Sequence, residues 1–259
     1  MRRRSRLERR SFLSGVVGGV CGLSGCAGTI GVGGSPPTDR QPPDRPTEFT
    51  PDSLAAYVAD YEAARVHNRY VADGADGVHV EAAATFDYRA DDGYHLTAQH
   101  TGTVSYDDGG RDVDAPDSAP VPYRVTDEST RRASVERRTV VDEGRDAAGE
   151  PADPPLGVRL PNFTDRPREL TVVAVSDAGD GDRVGSVTVE VEPGTATLLR
   201  SMALLSGTYR VIARFEENGI TGEGRVDVTL PGVDRAMDVD VLSTPDGLST
   251  RLLPSLERA

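Results

Sequence analysis

The sequence predicts two consecutive domains, an α+β domain at 51–142 and an all-β domain at 156–244, behind an amino-terminal export segment. Three observations support this fold class. A stretch with helical spacing begins at Thr50, long alternating stretches follow it, and seven short alternating stretches occupy the second half. Period two marks a half-buried strand and period 3.6 marks a helix. Residues 143–155, rich in Asp, Gly and Pro, are the predicted linker.

Residues 1–25 have the layout of a signal peptide. The first ten residues hold six arginines and one glutamate, and a Gly-rich apolar run follows from Phe12 to Gly25. This run is too short to span a membrane, which takes about 20 apolar residues. A cationic start, a short apolar run and small residues before a break are typical of export signals.

Two motifs in this segment resemble those of twin-arginine-exported lipoproteins. The export motif comprises Arg9, Arg10, Phe12 and Leu13, and the lipobox comprises Leu23, Ser24, Gly25 and Cys26. The resemblance implies that Cys26 becomes the first mature residue and carries lipid, which holds the protein on the extracellular face of the cell membrane. The alternatives are a secretory signal cut near Ala27 and a retained signal anchor.

The charged residues have an unusual composition. All 29 basic residues are Arg, they face 42 carboxylates, and the formal net charge is −13. An excess of Asp without Lys resembles proteins of halophilic archaea, whose surface charge keeps them solvated in molar salt; a GC-rich genome is the alternative explanation. The negative charge argues against nucleic acid as a partner. No cysteine follows Cys26, so the mature chain has neither a disulfide framework nor a thiolate nucleophile.

A tether and a helix are predicted next. Residues 26–50 are rich in Gly, Pro and Thr, and they show no hydrophobic period, which predicts an extended tether. Thr50 is a good N-cap, Pro51 suits the first helical position, and Asp52 suits the positive end of the helix dipole. Helical spacing then predicts a helix to about Ala72, which Gly74 ends.

The first domain contains four predicted strands, at 78–88, 94–106, 121–125 and 132–142. One helix on a four-stranded antiparallel sheet resembles the layout of cystatin-like and NTF2-like folds, without a matching motif. Alternation places His100 and Arg137 on inward faces, where they can line a pocket for an anionic ligand. A register shift of one residue would turn both outward.

The second domain resembles a broad class of Ig-like β-sandwiches. Seven short strands are predicted, at 156–160, 170–176, 184–191, 195–199, 208–215, 224–230 and 237–242. The Cys-Trp-Cys core of antibody domains is absent, since the chain has no Trp. Residues 245–259 are predicted to be a carboxy-terminal tail.

Few further motifs suggest chemistry. Asn162 opens the sequon Asn-Phe-Thr and is a candidate glycosylation site. The Asp-rich run 177–182 resembles a calcium loop but lacks its downstream Glu, so a hairpin turn is expected instead. The four histidines are scattered, and no metal or cofactor is expected. No nucleophile elbow, zinc-protease motif or phosphate loop occurs.

These observations predict a non-catalytic, membrane-anchored surface lipoprotein that serves as a display, adhesion or protein-binding module. Its expected partners are the membrane, through the lipid, and an unknown surface protein. One alternative is a small-ligand receptor or transporter accessory with a pocket in 51–142. Another is an extracellular enzyme of unrecognised class.

Overall fold

The computed structural model describes residues 36–106, 113–114, 119–140, 149–177, 183–217, 220–230, 239–244 and 247–253. The predicted export motif, lipobox and Cys26 lie outside these residues. The described residues belong to a compact unit, Pro36–Ala259. It is mostly β, with one helix and three sheets among the described residues, which is compatible with a β-sandwich.

The elements follow one another closely along the chain. In order they are α1 (Pro51–Ala72), β1 (Gly77–Ala90), β2 (Gly93–Ser105), β3 (Val113–Asp114), β4 (Val121–Val125), β5 (Thr130–Arg132), β6 (Ser134–Thr139), β7 (Val158–Asn162), β8 (Arg168–Ser176), β9 (Arg183–Val191), β10 (Thr195–Arg200), β11 (Gly207–Glu217), β12 (Ile220–Leu230), β13 (Val239–Thr244) and β14 (Gly247–Leu252).

The strands form three sheets. Sheet 1 is antiparallel, with the order β1-β2-β4-β5 and with β3 beside β2. Sheet 2 is mixed, with the order β14-β13-β7-β10-β6, in which β13 runs parallel to β7 and β6 runs parallel to β10. Sheet 3 is antiparallel, with the order β12-β11-β8-β9.

The predicted helix is confirmed from its cap to its end. The Thr50 hydroxyl accepts from the Ser53 amide, and the Ser53 hydroxyl accepts from the Thr50 amide, so a capping box satisfies two free donors. Leu54, Tyr57 and Val58 form the buried face of α1. They pack on the sheet 1 residues Leu96, Ala98, Val121, Tyr123 and Val125.

Sheets 2 and 3 pack face to face around the largest core cluster, to which Leu160, Leu170, Val172, Val211 and Val241 belong. All seven strands predicted in the second half are present. The predicted tail, however, needs correction at its start. Gly247–Leu252 forms β14 along β13, although its sequence has no alternating apolar face, because the ladder with β13 supplies its backbone hydrogen bonds.

The stretch predicted as the fourth strand of the first domain divides between two sheets. Residues Thr130–Arg132 pair with β4 in sheet 1, whereas Ser134–Thr139 pair in parallel with β10 in sheet 2. Ala133 is fully buried where the chain crosses from one sheet to the other. The predicted four-strand order is corrected accordingly, since this strand changes partners at Ala133.

Sheet 1 also packs against the second face of sheet 2. Tyr88 from sheet 1 shares a core cluster with Phe163, Leu198 and Leu242. The layers are therefore α1, sheet 1, sheet 2 and sheet 3. Sheet 2 is covered on both faces, and all five residues of β7 are buried.

Residues 36–49, named here the docked segment, lie against the sheet 1 layer. Arg40 exchanges two hydrogen bonds with Asn68 of α1, of 2.7 and 2.8 Å. His67 donates from Nε2 to the Thr38 carbonyl at 3.0 Å. Arg45 donates to the carbonyls of residues 126, 127 and 129 at the β4–β5 turn. The predicted tether is corrected from residue 36 onward, because these distant partners hold the segment in place.

Candidate functional site

Two buried groups of charged side chains lie on opposite faces of sheet 1. The Glu62 cluster, between α1 and sheet 1, consists of Glu62, His100, Tyr123 and Arg132. The Arg159 cluster, between sheets 1 and 2, consists of Asp87, Tyr88, Thr97, Arg159 and Asp240. Buried charge requires partners, and each cluster supplies them differently.

Glu62 lies one turn beyond Val58 on the buried face of α1, and its side chain is fully buried. Its carboxylate accepts from His100 Nδ1 at 3.0 Å, from the Tyr123 hydroxyl at 2.5 Å, and from Arg132 Nε and Nη2 at 2.9 and 3.0 Å. The alternation of β2 brings His100 to the helix side with Leu96 and Ala98. The prediction that His100 faces inward is confirmed.

These donors determine the charge of Glu62. Burial raises the pKa of Glu62, but the hydrogen bonds from His100, Arg132 and Tyr123 outweigh it and hold the pKa far below its usual range. Burial and the neighbouring Glu62 carboxylate raise the pKa of Tyr123. At neutral pH the cluster therefore contains a fixed carboxylate and a neutral phenol, which suits structural support better than proton transfer.

An open cleft of about 550 Å³ adjoins the Glu62 cluster. It is named here the arginine cleft, and its polar lining includes Asp39, Arg65, Asn68, Arg69 and Arg132. Arg132 connects the two features, since its side chain reaches from buried Glu62 to the cleft with 21% of its surface exposed. The docked segment contributes Asp39 to this wall. The cleft therefore contains three guanidinium groups and one carboxylate.

The predicted pairing of His100 with Arg137 is corrected. Arg137 lies on β6 opposite Leu198, at the edge of sheet 2, and is exposed. Its strand leaves sheet 1 at Ala133, so Arg137 lies on a different sheet from His100. Arg132 approaches His100 through Glu62 instead, from the short strand β5.

The Arg159 cluster is closed to solvent. Arg159 is 1% exposed and binds Asp240 through two bonds, Nε to Oδ1 at 2.7 Å and Nη2 to Oδ2 at 2.8 Å. It also donates to Asp87 Oδ2 at 3.0 Å and to the Thr97 hydroxyl at 2.5 Å. The Tyr88 hydroxyl donates to Asp240 at 2.8 Å. One guanidinium from sheet 2 thus joins side chains from both sheets.

A β-bulge places part of this cluster. Phe86 pairs with Leu96 and Tyr88 pairs with His95, so the pairing register shifts at Asp87. An extra residue in one strand reverses the face that follows it. Tyr88 therefore leaves the face of Phe86, where strict alternation predicts it, and stacks on His95 with ring centroids 4.9 Å apart.

The surplus of carboxylates changes the ionisation of the cluster. Burial raises the pKa of Asp87, and the Asp240 charge raises it further against the attraction of Arg159. Burial and Asp240 also raise the pKa of Tyr88. The neighbouring carboxylates raise the pKa of Arg159 despite its burial, so the guanidinium remains charged. The cluster is suited to joining two sheets.

The candidate glycosylation site at Asn162 is buried in the folded chain, with no exposed surface. Its Nδ2 donates to the carbonyls of Arg166 and Val191 at 2.7 and 2.8 Å, and its Oδ1 accepts from Thr164. A glycan on Nδ2 would replace one of these donated hydrogens and would need space that the sandwich does not offer. The structure thus argues against glycosylation of the folded chain.

A second open cleft, of about 490 Å³, lies at the tips of the β1–β2 and β4–β5 hairpins. Two of the arginines that line it have carboxylate partners. Arg124 binds Asp92 at 3.2 Å, and Arg131 binds Asp165 at 3.2 Å. Among the described residues, no group of three or more acidic, histidine or cysteine side chains is placed to hold a metal ion.

Several residues of the two clusters were not singled out by the sequence pattern. Glu62 follows Leu54 and Val58 and precedes Val66 at four-residue spacing, so a charged residue on the buried stripe was one signal. Asp240 alternates with apolar neighbours as a surface residue would. A second signal is that Arg159 and Asp240 have opposite charges on strands that are parallel neighbours in register. Strand order was required to use that signal.

No protein-family model matches the chain, and neither the curated proteins nor the solved structures contain a significant match. Within the described residues, α1 is not long and apolar enough to cross a membrane.

Proposed function

We propose that this protein is a non-catalytic surface lipoprotein of a halophilic archaeon, exported through its twin-arginine motif and held on the membrane through lipid on Cys26. The motifs at Arg9-Arg10 and at Leu23–Cys26 support export and anchoring. The net charge of −13 without Lys supports the halophilic setting. A division into an α+β domain at 51–142 with a cystatin-like layout and an Ig-like domain at 156–244 is part of the same proposal, with the change that residues 134–139 of the first stretch pair with the second.

The docked segment is the observation that supports a display role close to the membrane. In the proposed mature chain, residues 27–35 connect the lipidated Cys26 to this segment, and a fully extended chain advances at most about 3.6 Å per residue. The connection would then span at most about 35 Å. A module held so near the bilayer suits partners of low height, such as membrane-embedded proteins.

The buried chemistry also supports a non-catalytic module. Glu62 is fully hydrogen-bonded, and the guanidinium of Arg159 is closed to solvent. Both groups are engaged in joining layers of the fold. A catalytic acid or base needs an accessible proton and a pKa near the working pH.

The Cys26→Ser variant tests the anchor. We expect the wild-type protein in the membrane pellet, and we expect the variant in the soluble fraction. Intact mass of the detergent-extracted wild type should exceed the mass of the chain from Cys26 by the attached lipid. Variant protein that remains in the pellet in the same amount would overturn the proposal.

A second candidate function is favoured by the arginine cleft. A concave site with several cationic side chains, beside the buried Glu62 cluster, is typical of a small-ligand receptor or a transporter accessory protein. This role is compatible with lipid anchoring, because receptors of this kind work beside membrane partners.

A further inference from the structure

We infer that the arginine cleft binds a small organic carboxylate, whose charged group pairs with Arg65 and Arg132 and whose apolar part lies against Tyr61. The inference rests on the receptor function proposed above and names its ligand class. Anionic small molecules suit a cationic cleft in a chain whose overall charge is strongly negative. Such a local reversal of charge indicates recognition of an anion.

Arg65 is the group available for a ligand. It lies on the exposed side of α1, and no hydrogen bond or ion pair of its side chain is found among the described residues. Arg69, one turn further along, lies 3.8 Å from the carboxylate of exposed Asp73, and its guanidinium lies over the Tyr70 ring, 5.6 Å from the centroid. Exposed Arg210 and Arg214 each bind a carboxylate. Arg65 differs from these two in that its guanidinium lies at the mouth of a cleft without a carboxylate partner among the described residues.

Arg132 is held in place before any ligand binds. Two bonds to the buried carboxylate of Glu62, of 2.9 and 3.0 Å, fix its guanidinium while part of the side chain borders the cleft. A guanidinium fixed in this way loses little conformational entropy when it binds an anion. Arginine also presents donors in the planar arrangement that a carboxylate accepts.

The charges of the site indicate a single negative charge on the ligand. Glu62 offsets the charge of Arg132, and Asp39 lines the same cleft as Arg69. The excess positive charge is therefore that of Arg65, which matches a monocarboxylate better than a phosphate dianion. A second negative charge on the ligand would lie near Asp39 without a cation of its own.

Apart from Asn68, the remaining lining is largely apolar and selects the rest of the ligand. Tyr61, Val66, Ala72 and Pro42 border the cleft. Tyr61 is supported by Tyr123, with ring centroids 6.1 Å apart in an edge-on arrangement. Small-molecule pockets commonly have volumes of about 300–1,000 Å³, and the cleft lies within that range. An aromatic or branched aliphatic carboxylate therefore fits both its charge and its lining.

The test is calorimetric titration of the full chain in detergent with benzoate, phenylacetate and isovalerate. Benzamide, which has nearly the same shape as benzoate without its charge, and inorganic phosphate are the comparison ligands. The variant Arg65→Gln removes the available charge from an exposed helical position, so the fold should be retained. Arg200→Gln, at an exposed position on β10, is the matched control.

We expect at least one carboxylate to bind, benzamide and phosphate to bind at least tenfold more weakly, and Arg65→Gln to weaken carboxylate binding about tenfold. Arg200→Gln should leave the affinity unchanged. Equal binding of benzoate and benzamide, or no effect of Arg65→Gln, would overturn the inference. Binding of phosphate alone would overturn the ligand class and leave the receptor function. Failure of all the probes would overturn the inference, and the anchor is tested separately by Cys26→Ser.

Discussion

The Glu62 cluster and the Arg159 cluster occupy the two faces of one sheet, yet their charges are arranged in opposite ways. In the first, one carboxylate accepts from three donor side chains. In the second, one guanidinium lies between two carboxylates. Both are buried, but the pKa of Glu62 is lowered whereas the pKa of Asp87 is raised. The ratio of donors to acceptors, rather than burial alone, decides whether the pKa of a buried acid is lowered or raised.

The clusters also differ in their access to solvent. Arg132 extends from Glu62 to an open cleft, while Arg159 is enclosed between sheets 1 and 2. A partly exposed guanidinium can pair with a ligand, and an enclosed one can only join the elements around it. The proposed recognition role therefore belongs to the first face, whereas the second face joins two sheets.

Replacing Arg159 should have the largest effect. Arg159→Met leaves Asp87 and Asp240 buried without a counter-charge, and breaking a buried pair in this way costs about 3–5 kcal/mol. Urea denaturation should show this loss in the free energy of unfolding at pH 7. Arg200→Gln should stay within about 0.5 kcal/mol of the wild type. A loss below about 1 kcal/mol for Arg159→Met would contradict the role given to the cluster.

Glu62→Gln should have a smaller effect, of about 2–3 kcal/mol. The amide keeps one oxygen that can accept a hydrogen bond from Arg132. The other carboxylate oxygen is replaced by an NH2 group, which is itself a donor and would face the donor groups of the neighbouring side chains. Arg132 can still reach water through the cleft, which limits the loss. The same denaturation experiment measures it. A loss equal to that of Arg159→Met would remove the distinction between an open and a closed cluster.

The response to acid should differ between the clusters. The pKa of Glu62 is lower in the folded chain than its ordinary value of 4.5, so its contribution to stability is present above that pH and is lost as the pH falls below it. The melting temperature of the wild type should therefore decline more steeply below pH 4.5 than that of Glu62→Gln. Parallel curves for the two proteins would contradict the lowered pKa.

Asp87→Asn should have the smallest effect at neutral pH, within about 1 kcal/mol. The pKa of Asp87 is raised in the folded chain, so its ionised form opposes folding, and its contribution to stability increases as the pH falls through the folded pKa. The amide oxygen can still accept from Thr97 and Arg159. In melting curves measured between pH 3 and 7, the variant should lack this gain in stability on acidification. A loss as large as that of Arg159→Met would contradict the raised pKa.

The positions of His100 and Arg137, the two predicted pocket residues, illustrate what a local pattern can predict. His100 was placed correctly because β2 alternates without interruption from Leu96. Arg137 was misplaced because its strand changes sheets at Ala133, and alternation contains no information on which neighbour a strand pairs with. The arginine that does approach His100, Arg132, lies just before that crossover.

The sequence by itself determined the features that depend on neighbouring residues. The helix from its Thr50 cap and the approximate positions of the seven predicted strands in the second half follow from spacing and capping over a few residues. Tertiary structure alone decided which sheet β6 joins, that residues 36–49 dock, that a bulge turns Tyr88, and that Arg159 meets Asp240. These outcomes depend on partners far away in the chain. A polar side chain that another layer will cover has the same local pattern as one that faces water.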